Sequence, residues 1–142
     1  MPRLIALLTA MGLAGGFTIA NAQPATTQFD GTYRAVSTTN VNATYTDRNG
    51  RMAACAQRRP PGPLHIEHGQ ARYTTATGYK IRGTVDPQGQ LQMALMAPSN
   101  SSNAGSRPLS LSVSGQIDAA GTARVRQTSN SCSYDFVWQR VQ

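Results

Sequence analysis

The chain is poor in the residues that carry most catalytic and metal chemistry. Its 142 residues include two Cys, two His, one Trp and six acidic side chains. Two cysteines without a C-x-x-C pair are too few for a structural zinc site and offer no dithiol redox motif. The two histidines fall together in His65-Ile66-Glu67-His68. In a strand His65 and Glu67 share one face, and His68 points to the other face or into a turn. One face therefore presents two donors, where a metal usually takes three or four. No metal and no cofactor is expected. The acids leave no paired carboxylates: Asp47, Asp86 and Asp118 open turn motifs, Asp30 precedes Gly31, and Glu67 and Asp135 stand apart. No G-x-S-x-G elbow and no glycine-rich phosphate loop is present, so the chain reads as a non-enzyme.

Long apolar runs are also missing, except at the start. Met1-Pro2-Arg3 gives a positive lead, Leu4 to Ile19 is nearly all apolar, and Ala20-Asn21-Ala22 has the A-x-A form of a signal-peptidase site. A spanning helix needs roughly 20 apolar residues, and this run is shorter. Residues 1–22 are therefore expected to be a secretory signal peptide, and 23–142 a single mature domain, secreted or periplasmic. No cysteine follows the cleavage site to anchor a lipid. No later segment is apolar enough to span a bilayer.

Lysine is almost absent. Lys80 is the only one, so the other twelve of the thirteen cations are Arg. Removing the leader removes Arg3 and leaves a net charge of +6 on the mature chain. Such a charge attracts polyanions and anionic surfaces. The cations are scattered, no basic run exceeds Arg58-Arg59, and no basic-aromatic repeat resembles a nucleic-acid motif, so nucleic acid is not an expected partner. In an oxidising compartment the lone pair Cys55 and Cys132 is expected to form a disulfide. Closing a loop of that length stabilises by about 4 to 5 kcal/mol in the chain-entropy account.

What the chain has is alternation. Candidate strands run over 29–38, 41–46, 64–68, 71–76, 79–86, 90–97, 109–117, 122–129 and 132–140, with no helical period anywhere. Leu109, Leu111, Val113, Gly115 and Ile117 oppose Ser110, Ser112, Ser114 and Gln116 most clearly. Three turns repeat D-x-x-G: Asp47 to Gly50, Asp86 to Gly89 and Asp118 to Gly121. Asp accepts a backbone N–H at the turn start, and Gly takes positive φ at its end. Glu67-His68-Gly69-Gln70 looks like a tighter version. Two segments read as irregular: Arg58 to Pro63, rich in proline, and the polar loop Pro98 to Pro108. Short hairpins in sequence make an antiparallel up-and-down meander of about eight strands. The fold class is all-β, a closed or nearly closed barrel in which the first strand meets the last, with a β-sandwich as the alternative.

The order of features resembles a group of small exported bacterial domains. These begin F-D-G-T-[WY] and carry one central and one C-terminal Cys. Here the matching residues are Phe29-Asp30-Gly31-Thr32-Tyr33, Cys55, Leu64-x-Ile66-x-x-Gly69 and Gly83-Thr84-Val85, followed by Leu111 to Ala123 and Cys132 to Trp138. The resemblance implies compartment and architecture and no activity. A looser similarity is to lipocalin-like and avidin-like barrels, with Tyr33 where their first-strand G-x-W has Trp.

Two clusters are candidates for function. Tyr33, Tyr79, Tyr134, Phe136 and Trp138 are expected to face inward, as core or as the wall of a pocket for a small apolar ligand. Arg72, Lys80 and Arg82 are expected on the outer face of adjacent strands as an anion patch. The leading reading is an exported non-catalytic β-barrel that binds or interacts with a partner the sequence does not name. The alternatives are a lipocalin-like carrier and an envelope- or surface-associated structural protein contacting anionic polymer. Export of the full chain should yield a mature protein beginning at Gln23. N-terminal sequencing and intact mass check this, and a retained leader would overturn the cleavage assignment.

Overall fold

The alternation becomes ten strands. The computed structural model describes residues 25–95 and 110–142, so the leader, the 98–108 loop and Arg107 lie outside the described residues. The strands are β1 Gly31–Asn40, β2 Thr44–Thr46, β3 Met52–Ala54, β4 Leu64–Glu67 and β5 Gln70–Thr74. Then come β6 Lys80–Val85, β7 Gln90–Leu95, β8 Leu111–Ile117, β9 Thr122–Ser129 and β10 Tyr134–Arg140. Eight of them close into an antiparallel barrel in the order β1-β10-β9-β8-β7-β6-β5-β4. The meander and the closure of the first strand on the last both match the sequence reading, and a sandwich is excluded.

One candidate strand goes elsewhere. The 41–46 segment does not join the barrel. Its β2 pairs with β3, which the sequence reading had not assigned, to form a separate two-stranded ribbon. The Asp47 turn joins them: Asp47 Oδ1 accepts Asn49 N at 2.8 Å and Arg51 N at 2.9 Å. A three-residue strand has too little alternation to stand out from a loop. The ribbon is tied to the barrel by the disulfide Cys55–Cys132, whose Cα atoms are 5.7 Å apart. Asn42 adds to the tie, donating to Ser131 O at 3.2 Å and accepting from Ser133 N at 2.8 Å.

Inward positions are apolar at nearly every rung. Tyr33, Leu64, Ile81, Leu91, Ala123 and Trp138 have no exposed surface. Trp138 packs edge-on against Tyr73 at 5.1 Å and against Phe136 at 5.5 Å. Its ring N–H donates to Gly62 O at 3.2 Å, so the proline-rich segment lies across the barrel end above it. Truncating such a ring to alanine costs about 3 to 5 kcal/mol. Among the expected inward aromatics, Tyr79 is the correction. It falls in the turn before β6 and is 44% exposed, because Thr75 N and Tyr79 O close that turn and end the alternation at Lys80.

The two barrel ends differ. At one end the connections are tight. Asp86 Oδ1 accepts Gln88 N and Gln90 N, Asp118 Oδ1 accepts Thr122 N, and His68-Gly69 forms a two-residue turn with φ of 49° and 72°. Positive φ at both central residues suits the twist of a hairpin. The other end carries the ribbon, the disulfide and the proline-rich crossing. Gly89 (φ 82°) is packed so closely that an added Cβ would overlap Ile117 O, whereas Gly50 (φ 75°) has open space around it. Gly89→Ala should therefore lower stability by well over the roughly 1 kcal/mol that positive φ alone costs, and Gly50→Ala by about that amount. Paired thermal melts check it, and equal shifts would contradict the packing at Gly89.

Candidate functional site

Two places on the barrel have chemistry beyond packing. The first is inside. Gln127 follows Ala123 and Val125 on the inward face of β9 and is 4% exposed. Its amide oxygen accepts the Tyr73 hydroxyl at 2.6 Å, which satisfies both buried groups. Burial pushes the Tyr73 phenol well above the usual tyrosine range. Near the ribbon end a small recess of about 40 Å³ is lined by Thr75, Tyr79, Gln127, Ser129 and Tyr134, among others. Ligand pockets run to about 300–1,000 Å³, so this one has room for water rather than a carried molecule. Arg58 lies over the Tyr134 ring at 5.3 Å and reaches Thr77.

Tyr33 occupies the opposite end. Its hydroxyl donates to Phe29 O at 2.7 Å and accepts from Arg140 Nε at 3.0 Å and Nη2 at 2.7 Å. Burial pushes its phenol up, and the Arg140 guanidinium opposes that shift. Sequence reasoning had not singled out Gln127, Tyr73 or Arg140. Two-residue parity with Val125 places Gln127 inward, and that signal was available. The pairing of Arg140 with Tyr33 spans 107 residues and has no local signature.

The second place is the outer wall of β4, β5 and β6. Arg72 stands directly opposite Arg82, and His65 directly opposite Arg72. Lys80 is opposite Thr74 on the adjoining outer rung. Arg72, Lys80, Arg82 and His65 line one recess of about 320 Å³ together with Gly62 and Pro63. The three cations expected as a patch are thus gathered, and His65 joins them through the strand register. Thr32 Oγ1 and His65 Nδ1 lie 3.2 Å apart. Like charges placed directly across two strands destabilise a sheet.

Two arginines elsewhere on the barrel are ion-paired. Arg126 grips Asp135 at 2.8 and 2.9 Å, and that hydrogen bonding holds the Asp135 carboxyl below its ordinary value. Arg124 lies 3.3 Å from Asp118, whose carboxyl is lowered first by the Thr122 backbone N–H. Arg72, Lys80 and Arg82 have no acidic partner within 4 Å among the described residues.

His65, Glu67 and His68 do not converge: His65 and Glu67 point outward, and His68 is taken into the turn, where its N–H donates to Asp30 Oδ2 at 2.9 Å. Among the described residues no group of three or more His, Cys, Asp or Glu is placed to hold a metal, and no helix is long and apolar enough to cross a membrane. Comparison with protein-family models, curated proteins and solved structures finds no match to this chain.

The buried phenol makes a pH signature. Tyr73 holds its proton more tightly folded than unfolded, where the ordinary value is 10.0. Stability is therefore complete below pH 10 and declines above it, as the unfolded chain releases the proton first. Tyr73→Phe should flatten the alkaline decline while costing about 1 to 3 kcal/mol at neutral pH through the orphaned Gln127 amide. Urea melts from neutral pH into the alkaline range check both effects. An unchanged alkaline slope would mean that other groups govern it.

Proposed function

We propose that this protein is an exported, non-catalytic β-barrel module that works through its outer wall, attaching to anionic polymer by the basic face of β4 to β6. The observation that carries the reading is the Arg72–Arg82 pair. It places like charges side by side, with Lys80 and His65 around the same recess and no acid within 4 Å of the three cations among the described residues. A sheet with only a structural role gains nothing from that arrangement. The filled interior supports the same reading over a lipocalin-like carrier, since the inward aromatics pack on one another rather than around a cavity.

Export is supported by the leader-like start, by the Cys55–Cys132 disulfide and by the resemblance to exported F-D-G-T domains. The absence of paired carboxylates and of a nucleophile elbow in the sequence supports a binding role without catalysis. Arg suits such a face, because its planar fork meets carboxylate, sulfate or phosphate groups with two hydrogen bonds.

Binding to immobilised heparin, used as a generic acidic polymer, should weaken steeply as salt rises past about 0.1 M, where charges are screened beyond about 10 Å. The triple variant Arg72→Gln, Lys80→Gln, Arg82→Gln should lose about tenfold or more in affinity at low salt. The control triple Arg51→Gln, Arg124→Gln, Arg126→Gln removes the same charge and should lose markedly less. Equal losses from the two triples would reduce the effect to diffuse net charge and overturn the assignment of this face.

A further inference from the structure

The outer wall of β4 to β6 has a polarity along the strands, and it bears on which polymer fits. Three outward rungs follow one another. The first pairs Thr74 with Lys80, the second aligns His65, Arg72 and Arg82, and the third aligns Glu67, Gln70 and Thr84. Successive outward rungs are about 7 Å apart, two residues of strand rise. Charge along this line runs positive, doubly positive, then negative.

The rungs line a depression made of two recesses that share Arg72 and Arg82. The recess of about 320 Å³ around Lys80 adjoins a second of about 400 Å³ lined by Glu67, His68, Gln70 and the same Arg72 and Arg82. Glu67 lines the second recess with both arginines, yet it forms no ion pair within 4 Å with either. Neither sign of charge is held in an ion pair by the other, so both remain able to act on a ligand. Beyond Arg82 the second rung continues to Ala94 and Ser112, short side chains that leave the guanidinium uncovered.

We infer that this depression takes an acidic polysaccharide in which charged sugars are interrupted by neutral ones, and that Glu67 is the residue that sets this preference. The inference rests on the reading of the β4 to β6 wall as the anion-binding face. The Arg72–Arg82 pair, with Lys80 beside it, holds an anionic group on the second rung, which leaves the third rung to a neutral sugar of an alternating chain. On the third rung Gln70 and Thr84 offer hydrogen bonds to hydroxyls, and Glu67 accepts from hydroxyls and repels a further anion. A polymer with an anion on every unit must place one against Glu67. A depression running along the strands also suits a linear chain better than a flat lipid surface, which would meet the cations and Glu67 in one plane.

The test compares two carboxylate sugars of equal length: hyaluronan hexasaccharide, charged on every second sugar, and hexagalacturonate, charged on every sugar. Affinities are measured by calorimetry or fluorescence at low salt. The wild-type protein should bind the alternating hexamer about threefold more tightly, the scale of one exposed charge interaction. Glu67→Gln should remove or reverse that preference, chiefly by strengthening the fully charged hexamer. Arg72→Gln, Lys80→Gln, Arg82→Gln should lose both ligands. Melts of each variant confirm folding, since every altered side chain is exposed.

Equal strengthening of both hexamers by Glu67→Gln would make it a bulk charge effect and overturn the inference while leaving the anion face standing. A wild-type preference for the fully charged hexamer would overturn it as well. Tighter binding to phosphatidylglycerol vesicles than to either sugar would assign the face to membrane. Failure of the charge triple to affect any of these ligands would remove the anion face itself.

Discussion

Strand β1 is hydrogen-bonded to two neighbours, and the closure of the barrel depends on how that is held. Residues 31–33 pair with β4, whereas residues 33–40 pair with β10, with a register shift between Ala35 and Ser37. Tyr33 sits where the two pairings meet, fully buried, with its hydroxyl saturated by Phe29 O and the Arg140 guanidinium. One phenol therefore joins the first strand, the last strand and the segment before the first. Only three residue pairs link β1 to β4, and the anchored Tyr33, opposite Leu64, is in one of them. At the other end of the barrel the Cys55–Cys132 bridge and the Asn42 contacts hold the long excursion between β1 and β4 in place.

A barrel of eight strands has an interior just wide enough for side chains or one small ligand. Here the aromatic column of β10, with Tyr73 from β5, fills it. The Tyr73–Gln127 hydrogen bond is an internal polar contact between two buried side chains. With the inside committed to packing, the proposed recognition falls to the outer wall. The wall is uneven: Arg124 and Arg126 are matched by Asp118 and Asp135 on one side, while Arg72, Lys80 and Arg82 are unmatched on the other. Which cations are paired and which are bare is set by the fold, and composition alone does not reveal it.

Much of the architecture was legible because period-two alternation and D-x-x-G turns are local signals. Leu111 to Ile117 and the three Asp-led turns could be assigned residue by residue, and each turn glycine has positive φ. The ribbon was not legible. Thr44–Thr46 looks like part of a longer barrel strand, and its partner Met52–Ala54 is too short to carry a pattern. Tyr79 was misplaced because parity with Ile81 and Val85 continues through it, while the turn closed by Thr75 and Tyr79 does not. The basic trio was legible from outward parity on two neighbouring strands. The presence of His65 in the same recess, and the direct opposition of Arg72 and Arg82, required the register between strands, which no single strand encodes.

The scarcity of lysine gives Lys80 a second significance. It is the chain's only side-chain primary amine, and it opens onto the basic depression. Reagents that acylate or crosslink amines can therefore reach the folded domain only at its N-terminus and at this one exposed position on the proposed binding face. A dye or a biotin attached there reports on, or blocks, that face. A surface prepared by random amine coupling would present many molecules with the depression turned toward the support.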